Sequence, residues 1–248
     1  MKKNVLRVLI ALVACLALPS PAMSASLALT DPAAVKYGSL LNAYWNYSLQ
    51  YKDDDEALDK LFTRIASAVS IEASTDSQIG YGLNNSLEPL RYASSGAELG
   101  YALHDLNKDG IPELFIISKD CSIHAVFSLV NGNPVAIGGY WSRSRCEVDS
   151  NGIFYNHGSS GAEVSSTASY SYMGGKELQL IKEVGSENYD EINDKRLPAT
   201  RYYRIEKGKK TVISRKEAEA DPLWGGVYPK DNSLNLKFIP LFSIPPES

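Results

Sequence analysis

Histidine and cysteine are scarce, with three of each in 248 residues, and that scarcity removes whole classes of chemistry before any element is placed. His104, His124 and His157 show no i, i+3 or i, i+4 pairing, so a zinc site would have to be assembled from separate strands. No G-x-S-x-G nucleophile elbow occurs; Gly158-Ser159-Ser160-Gly161, next to His157, reads as a turn between strands. Basic clusters are few. The densest, Lys207 to Lys210, contains a glycine and lies between two strand-like runs, which makes it a solvated hairpin turn rather than a phosphate-binding patch. After Leu18 no apolar run approaches the length of a membrane-spanning helix.

What is present begins with the N-terminus. MKKNVLR carries three cations, Val8 to Leu18 is apolar, and Pro19 and Pro21 are followed by small residues, the arrangement of a secretory signal over residues 1–25 cut near Ala25 or Ser26. The alternative is a lipobox, Leu12-Val13-Ala14-Cys15, which would anchor the chain through Cys15; the apolar run continues past Cys15 and fits this less well. The expected location is secreted, periplasmic or cell-envelope. Without residues 1–25 there remain 22 cations against 29 acids, a net −7, unsuited to nucleic acid. Cys121 and Cys146 also remain, an even pair in an oxidising compartment, so a disulfide is expected, with buried free thiols as the alternative.

The periodicities predict an α+β fold in a single domain, residues 26–248: an N-terminal helical hairpin followed by a twisted antiparallel β-meander. Asp31-Pro32 starts the first helix, with Tyr37, Leu40, Leu41, Tyr44 and Trp45 at helical spacing. The acids Asp53 to Glu56 start the second, with Leu58, Leu61, Phe62, Ile65 and Val69 in one stripe. The hairpin is placed at 26–75 and a connection at 76–98, with a short helix near Leu87 to Tyr92. The sheet is placed at 99–242, with strands at 99–104, 113–118, 123–130, 134–138, 153–157, 165–173, 177–184, 200–206, 211–213 and 234–239. Ser186 to Lys195 reads as a polar loop. Ser214 and Glu217 form a capping box for a short helix near 215–220.

One segment carries recognisable ligand chemistry. Asp105, Asn107, Asp109 and Glu113 stand at positions 1, 3, 5 and 9 of a loop with Gly110 at position 6, and Ile111 can add a backbone carbonyl. Hard cations take such oxygen sets, and Gly allows the sharp turn, so Ca²⁺ is the expected ion. An EF-hand would need a glutamate at position 12, which is Ile116, so the setting is strand, loop, strand. A plain Asp-Gly hairpin turn is the competing reading.

The DxNxDGxxE spacing resembles the Ca²⁺ loops of FG-GAP and integrin-type propeller blades, where such loops are mostly structural. The loop occurs once, which argues against a propeller of repeated blades. GYALHDLNKDGIPELFI, the run Gly152 to Ser160 and the ending Leu236 to Leu241 resemble a group of uncharacterised secreted bacterial proteins with a YALxDxNxDGxPELxI segment. That resemblance implies location and architecture but no reaction; those proteins often carry an acid where His157 stands.

Fifteen tyrosines, with Tyr170 and Tyr172 alternating and Trp141 and Trp224 in glycine-rich surroundings, serve either core packing or a sugar- or peptide-binding surface. Asp149, Glu163 and Glu177 are the candidates for a hydrolytic carboxylate pair. The expected role is a Ca²⁺-stabilised binding or structural module meeting an envelope or extracellular partner, protein or glycan. A secreted hydrolase acting on glycans or peptides is the alternative.

Overall fold

The computed structural model describes residues 29, 31–50, 55–70, 78–87, 99–159, 164–190, 193–226 and 232–241; the expected signal segment lies outside them. Helix α1, Pro32–Lys36, starts as its sequence dictates: the Asp31 carboxylate accepts from the Ala33 N–H at 2.8 Å and Pro32 takes the first helical turn. Helices α2, Gly38–Gln50, and α3, Asp55–Ala68, bury Leu40, Leu41 and Tyr44 against Leu58, Leu61 and Ile65 in one shared core. Residues 51–54 between them lie outside the described set. Helix α4, Gln78–Ser86, occupies part of the expected connection, ahead of the helix expected near Leu87 to Tyr92; residues 88–98 are outside the described set.

The sheet region holds two antiparallel sheets where the sequence suggests one meander. The first contains β1, Leu99–His104, β2, Glu113–Ser118, β3, Ile123–Val130, and β4, Asn133–Gly139. The second runs in chain order through β5, Ser144–Val148, β6, Ile153–Ser159, β7, Val164–Ser171, β8, Gln179–Asp190, β9, Lys195–Glu206, and β10, Lys209–Ile213. Strand β11, Ile239–Pro240, adds to the free edge of β1. Of the strand expected over 234–239, only its end joins a sheet as β11, while the N–H of its first residue, Leu234, donates to the Val148 carbonyl of β5 at 2.8 Å; β5 was not anticipated.

Alternation sorts the side chains of the first sheet into two cores. Tyr101, Leu114, Ile116 and Phe127 face the helices, whereas Ala102, Phe115, Ile117 and Val126 face the second sheet and meet Cys146, Phe154 and Tyr172 from it. The outer face of the second sheet is covered by α5, Arg215–Glu219, and the 3₁₀ turn Trp224–Gly226, with Val184, Ala218 and Leu223 buried between them. The capping box at α5 forms as expected: Ser214 Oγ accepts from the Glu217 N–H and the Glu217 carboxylate accepts from the Ser214 N–H.

The polar stretch 186–195 is mostly strand rather than loop, because its charges are matched across the sheet. Glu187 accepts from Arg201 Nε at 2.6 Å and pairs with Lys210 Nζ at 2.8 Å. Lys210, from the expected basic hairpin, also lies over the Tyr203 ring at 4.1 Å. The hairpin turn itself is as expected, with Lys207 and Gly208 at positive φ. Among the described residues no helix is long and apolar enough to cross a membrane.

Candidate functional site

Asp105, Asn107 and Asp109 are brought together in the turn between β1 and β2, and their oxygens curl onto the loop's own backbone. Asp105 accepts from the N–H groups of Asp109 at 3.1 Å and Gly110 at 2.8 Å. Asn107 Oδ1 accepts from the Asp109 N–H at 3.2 Å, its Nδ2 donates to Asp109 Oδ2 at 2.9 Å, and Asp109 Oδ1 accepts from the Ile111 N–H at 2.8 Å. Lys108 and Gly110 take positive φ, 61° and 84°, which permits the tight curl.

Glu113 is placed differently. As the first residue of β2 it has the parity of Phe115, so its side chain enters the layer between the sheets and is fully buried. There it accepts from the Leu106 N–H at 2.8 Å and from Ser128 Oγ at 3.0 Å. Burial pushes its pKa up to about 7; these two hydrogen bonds act against the shift and the Asp109 charge adds to it. Tyr37 locks the end of the loop by donating to the Pro112 carbonyl at 2.9 Å. Of the five expected ligands, three side chains converge, Ile111 packs against the helical core, and Glu113 approaches from the interior. Among the described residues no group of three or more His, Cys, Asp or Glu side chains forms a ready metal set. The chemistry of the donors fits Ca²⁺ all the same: two carboxylates, an amide oxygen and a buried carboxylate repelled by one of them would all be relieved by a hard cation.

The expected disulfide is not formed. Cys121 is exposed in the turn between β2 and β3 at a φ of 66°, while Cys146 is buried on β5, where burial pushes its thiol pKa upward. The two thiols belong to different layers of the fold, which sequence spacing could not reveal.

A second feature is a cleft of about 840 Å³ where α4, the end of β4 and the inner face of β5, β6 and β7 meet. At its mouth Tyr81 of α4 and Trp141 stand edge to face, ring centroids 5.5 Å apart and planes at 82°. Backbone contact sets this arrangement. A Cβ on Gly139 would lie 2.4 Å from the Gly82 carbonyl carbon, and one on Gly82 would lie 2.9 Å from the Gly139 oxygen. Gly139→Ala is therefore expected to cost about 1–3 kcal/mol, a fall in unfolding midpoint of about 2–12 °C. Gly38→Ala, whose Cβ would meet only Leu29 Cδ1 at 3.7 Å, should be neutral or stabilising. Thermal unfolding of the two variants checks the contrast.

Asn156, Ser144 and Ser166 supply the polar part of the cleft, and Arg143 and Glu177 stand on its walls. Asn156 Nδ2 donates to Ser144 Oγ at 3.0 Å and to the Arg145 carbonyl at 3.1 Å. Of the sequence candidates, Trp141, Tyr170, Ser159 and Glu177 line this cleft. His157 does not; it bonds Thr167 Oγ1 at 2.9 Å, and burial together with the neighbouring Arg145 charge lowers its pKa. Asp149 caps a turn, accepting from the N–H groups of Asn151 and Ile153, both at 2.9 Å. Glu163 and Ser160 lie outside the described residues. Trp224 instead packs on Tyr202, centroids 5.6 Å apart. Sequence reasoning missed Tyr81, Arg143 and Asn156. The glycines at 80, 82, 138 and 139 were the available signal, since paired glycines mark close backbone approach.

No protein-family model matches the chain, and no curated protein sequence does. A solved structure, that of a Xanthomonas Type IV Secretion System related protein, is similar over 47% of this chain, at 15% identity and a TM-score of 0.27. The match spans 58% of that protein's chain, less than two thirds of its length, and a likeness this slight carries no argument.

Proposed function

We propose that this chain is an extracytoplasmic binding module, secreted or held in the cell envelope, that takes its ligand in the cleft between α4 and the two sheets. The observation that carries the reading is the cleft itself, lined by two aromatic rings, the Gly82 and Gly139 backbones in close contact, and amide and hydroxyl groups. In this reading α2 and α3 are the arms of a helical hairpin, supported by their shared core, and hairpin and sheets make one domain. A secreted hydrolase is the second reading, favoured by the carboxylate of Glu177 on the cleft wall. Glu177→Gln should leave ligand affinity largely intact under the binding reading. Loss of turnover of a bound oligosaccharide or peptide on this substitution would establish the hydrolase instead.

Ca²⁺ belongs to the same proposal, held by Asp105, Asn107, Asp109, the Ile111 carbonyl and Glu113. It would act as a structural cross-link between the β1–β2 loop and the layer between the sheets. An ion that binds only the folded chain stabilises by about 2.7 kcal/mol at a hundred times its dissociation constant, which raises the midpoint by about 5–11 °C. Thermal unfolding in EGTA, in millimolar Ca²⁺ and in Mg²⁺ tests this, with a Ca²⁺-specific rise expected. Asp105→Asn keeps an acceptor for the loop N–H groups while removing the charge, so it should abolish the Ca²⁺ response with a smaller effect in EGTA. Equal losses in both conditions would leave the loop a plain turn.

A further inference from the structure

The cleft's chemistry narrows its ligand, on the premise that the cleft is the binding site. Two rings at a right angle make a corner: one presents a π-face, the other an edge. A sugar ring is built for such a corner, because its axial C–H groups form an apolar face while its hydroxyls project around the rim. Tyr81 is half exposed, so its ring is available from solvent.

Among the polar groups that line the cleft, the neutral amide of Asn156 is held in place. Both hydrogens of the Asn156 amide are engaged, by Ser144 Oγ and by the Arg145 carbonyl, which fixes the direction of its Oδ1 acceptor. Ser144 Oγ, accepting from Asn156, keeps its own hydrogen to donate. Arg143 and Glu177 add one charge of each sign, so the cleft favours neither a polyanion nor a polycation. The volume, about 840 Å³, lies toward the upper end of the roughly 300–1,000 Å³ of small-molecule sites and has room for a short chain of sugar rings.

An extended peptide is the other occupant to consider, and the strand edges beside the cleft argue against it. Peptides commonly bind by adding a strand to an open edge. Here the Gly139 backbone abuts the Gly82 backbone of α4. The edge of β5 beside the cleft is already taken as well, since Ser144 exchanges both backbone hydrogen bonds with Trp141, at 2.9 and 3.0 Å. What the cleft offers is stacking and side-chain hydrogen bonding, not a ladder.

We propose that the cleft binds a neutral oligosaccharide, stacked on Trp141 and Tyr81 and hydrogen-bonded through Asn156 and Ser144. The test is calorimetric titration of the full chain with tetrasaccharides of N-acetylglucosamine, β-1,4-glucose and α-1,4-glucose, and with a mixed-sequence hexapeptide pool. Trp141→Ala, Tyr81→Ala and the surface control Val212→Ala are run beside the wild type. At least one tetrasaccharide should bind, and Trp141→Ala and Tyr81→Ala should each weaken it about tenfold or more. Val212→Ala should not, and circular dichroism should show all three variants folded. Sugar binding indifferent to both aromatic substitutions would overturn the placement in this cleft. Peptide binding sensitive to Trp141→Ala, without sugar binding, would overturn the ligand class while leaving the binding module standing. Silence from every probe would count against both.

Discussion

In EGTA at pH 8, Glu113→Gln is expected to be more stable than the wild type by up to about 3 kcal/mol, and the advantage should shrink to below about 1 kcal/mol by pH 5. The sign follows from the direction of the shift. The Glu113 carboxyl is raised from the ordinary 4.5 to about 7 in the folded chain, so between these values the folded state holds a proton that the unfolded state has released. Stability from this group therefore falls as pH rises from 4.5 to 7, and the penalty is complete above 7. A glutamine carries no charge to desolvate. Its oxygen can still accept from the Leu106 N–H, and its amide can donate to Ser128 Oγ, so both contacts survive.

The comparison between variants matters because other groups titrate nearby. His124 and His157 have lowered pKa values, mainly through burial, so each works against stability as the pH falls through 6.5 and into the window below. Asp120, Glu217 and Asp221 are lowered and contribute only near and below the usual carboxylate range. The histidine terms cancel between wild type and Glu113→Gln. With Ca²⁺ bound, the order at pH 8 should reverse, since the cation favours the carboxylate. Chemical denaturation of both proteins from pH 5 to 8 decides it. Parallel curves would mean that the buried carboxyl titrates normally and that its burial has no electrostatic consequence.

Phe115→Ala should have the largest effect on stability, about 3–5 kcal/mol, lowering the midpoint by about 6–20 °C. Phe115 is fully buried on the face of β2 that meets the second sheet, in the same cluster as the fully buried Phe154 of β6. Removing the ring leaves a cavity between two sheets whose backbones are each held by their own ladders, so the gap closes poorly. Val212→Ala, at a position 63% exposed on β10, should stay within about 0.5 kcal/mol. Because both sheets wall the cleft, Phe115→Ala should also weaken any cleft ligand. A loss of stability below about 1 kcal/mol would show that the sheets do not depend on this contact.

Much of the fold was legible. The bounds of β1, β2 and β3 coincide with the strands expected at 99–104, 113–118 and 123–130, because Val, Ile and Phe runs between Asp, Gly and Asn turns leave few alternatives. The α5 capping box was readable because all its hydrogen bonds are local. Strand β5, SRCEV, was not: it is short and charged, and only Cys146 and Val148 face the core. Strands β8 and β9 were expected at 177–184 and 200–206, but their extensions to Asp190 and from Lys195 hid behind charges that are matched only across the sheet, where Arg201 and Lys210 meet Glu187. Helix α4 was masked by Gly80 and Gly82, poor helix formers in isolation, of which Gly82 is needed for contact with Gly139.

Much of the local order was thus decided by the sequence alone: the apolar runs that become β1 to β3, where caps and tight turns fall, and which oxygens gather in the β1–β2 loop. Each depends on residues within a few positions of one another. Tertiary structure alone decided that the strands divide into two sheets, that Cys121 and Cys146 lie in different layers, and that Tyr81 meets Trp141 over a cleft. These are pairings between residues far apart in the chain, selected by the shared burial of faces that no single segment can complete. Glu113 belongs to both accounts. Its place in the loop was written in the sequence, but its burial, and with it a carboxyl pKa near 7, arises only when β2 is covered by the second sheet.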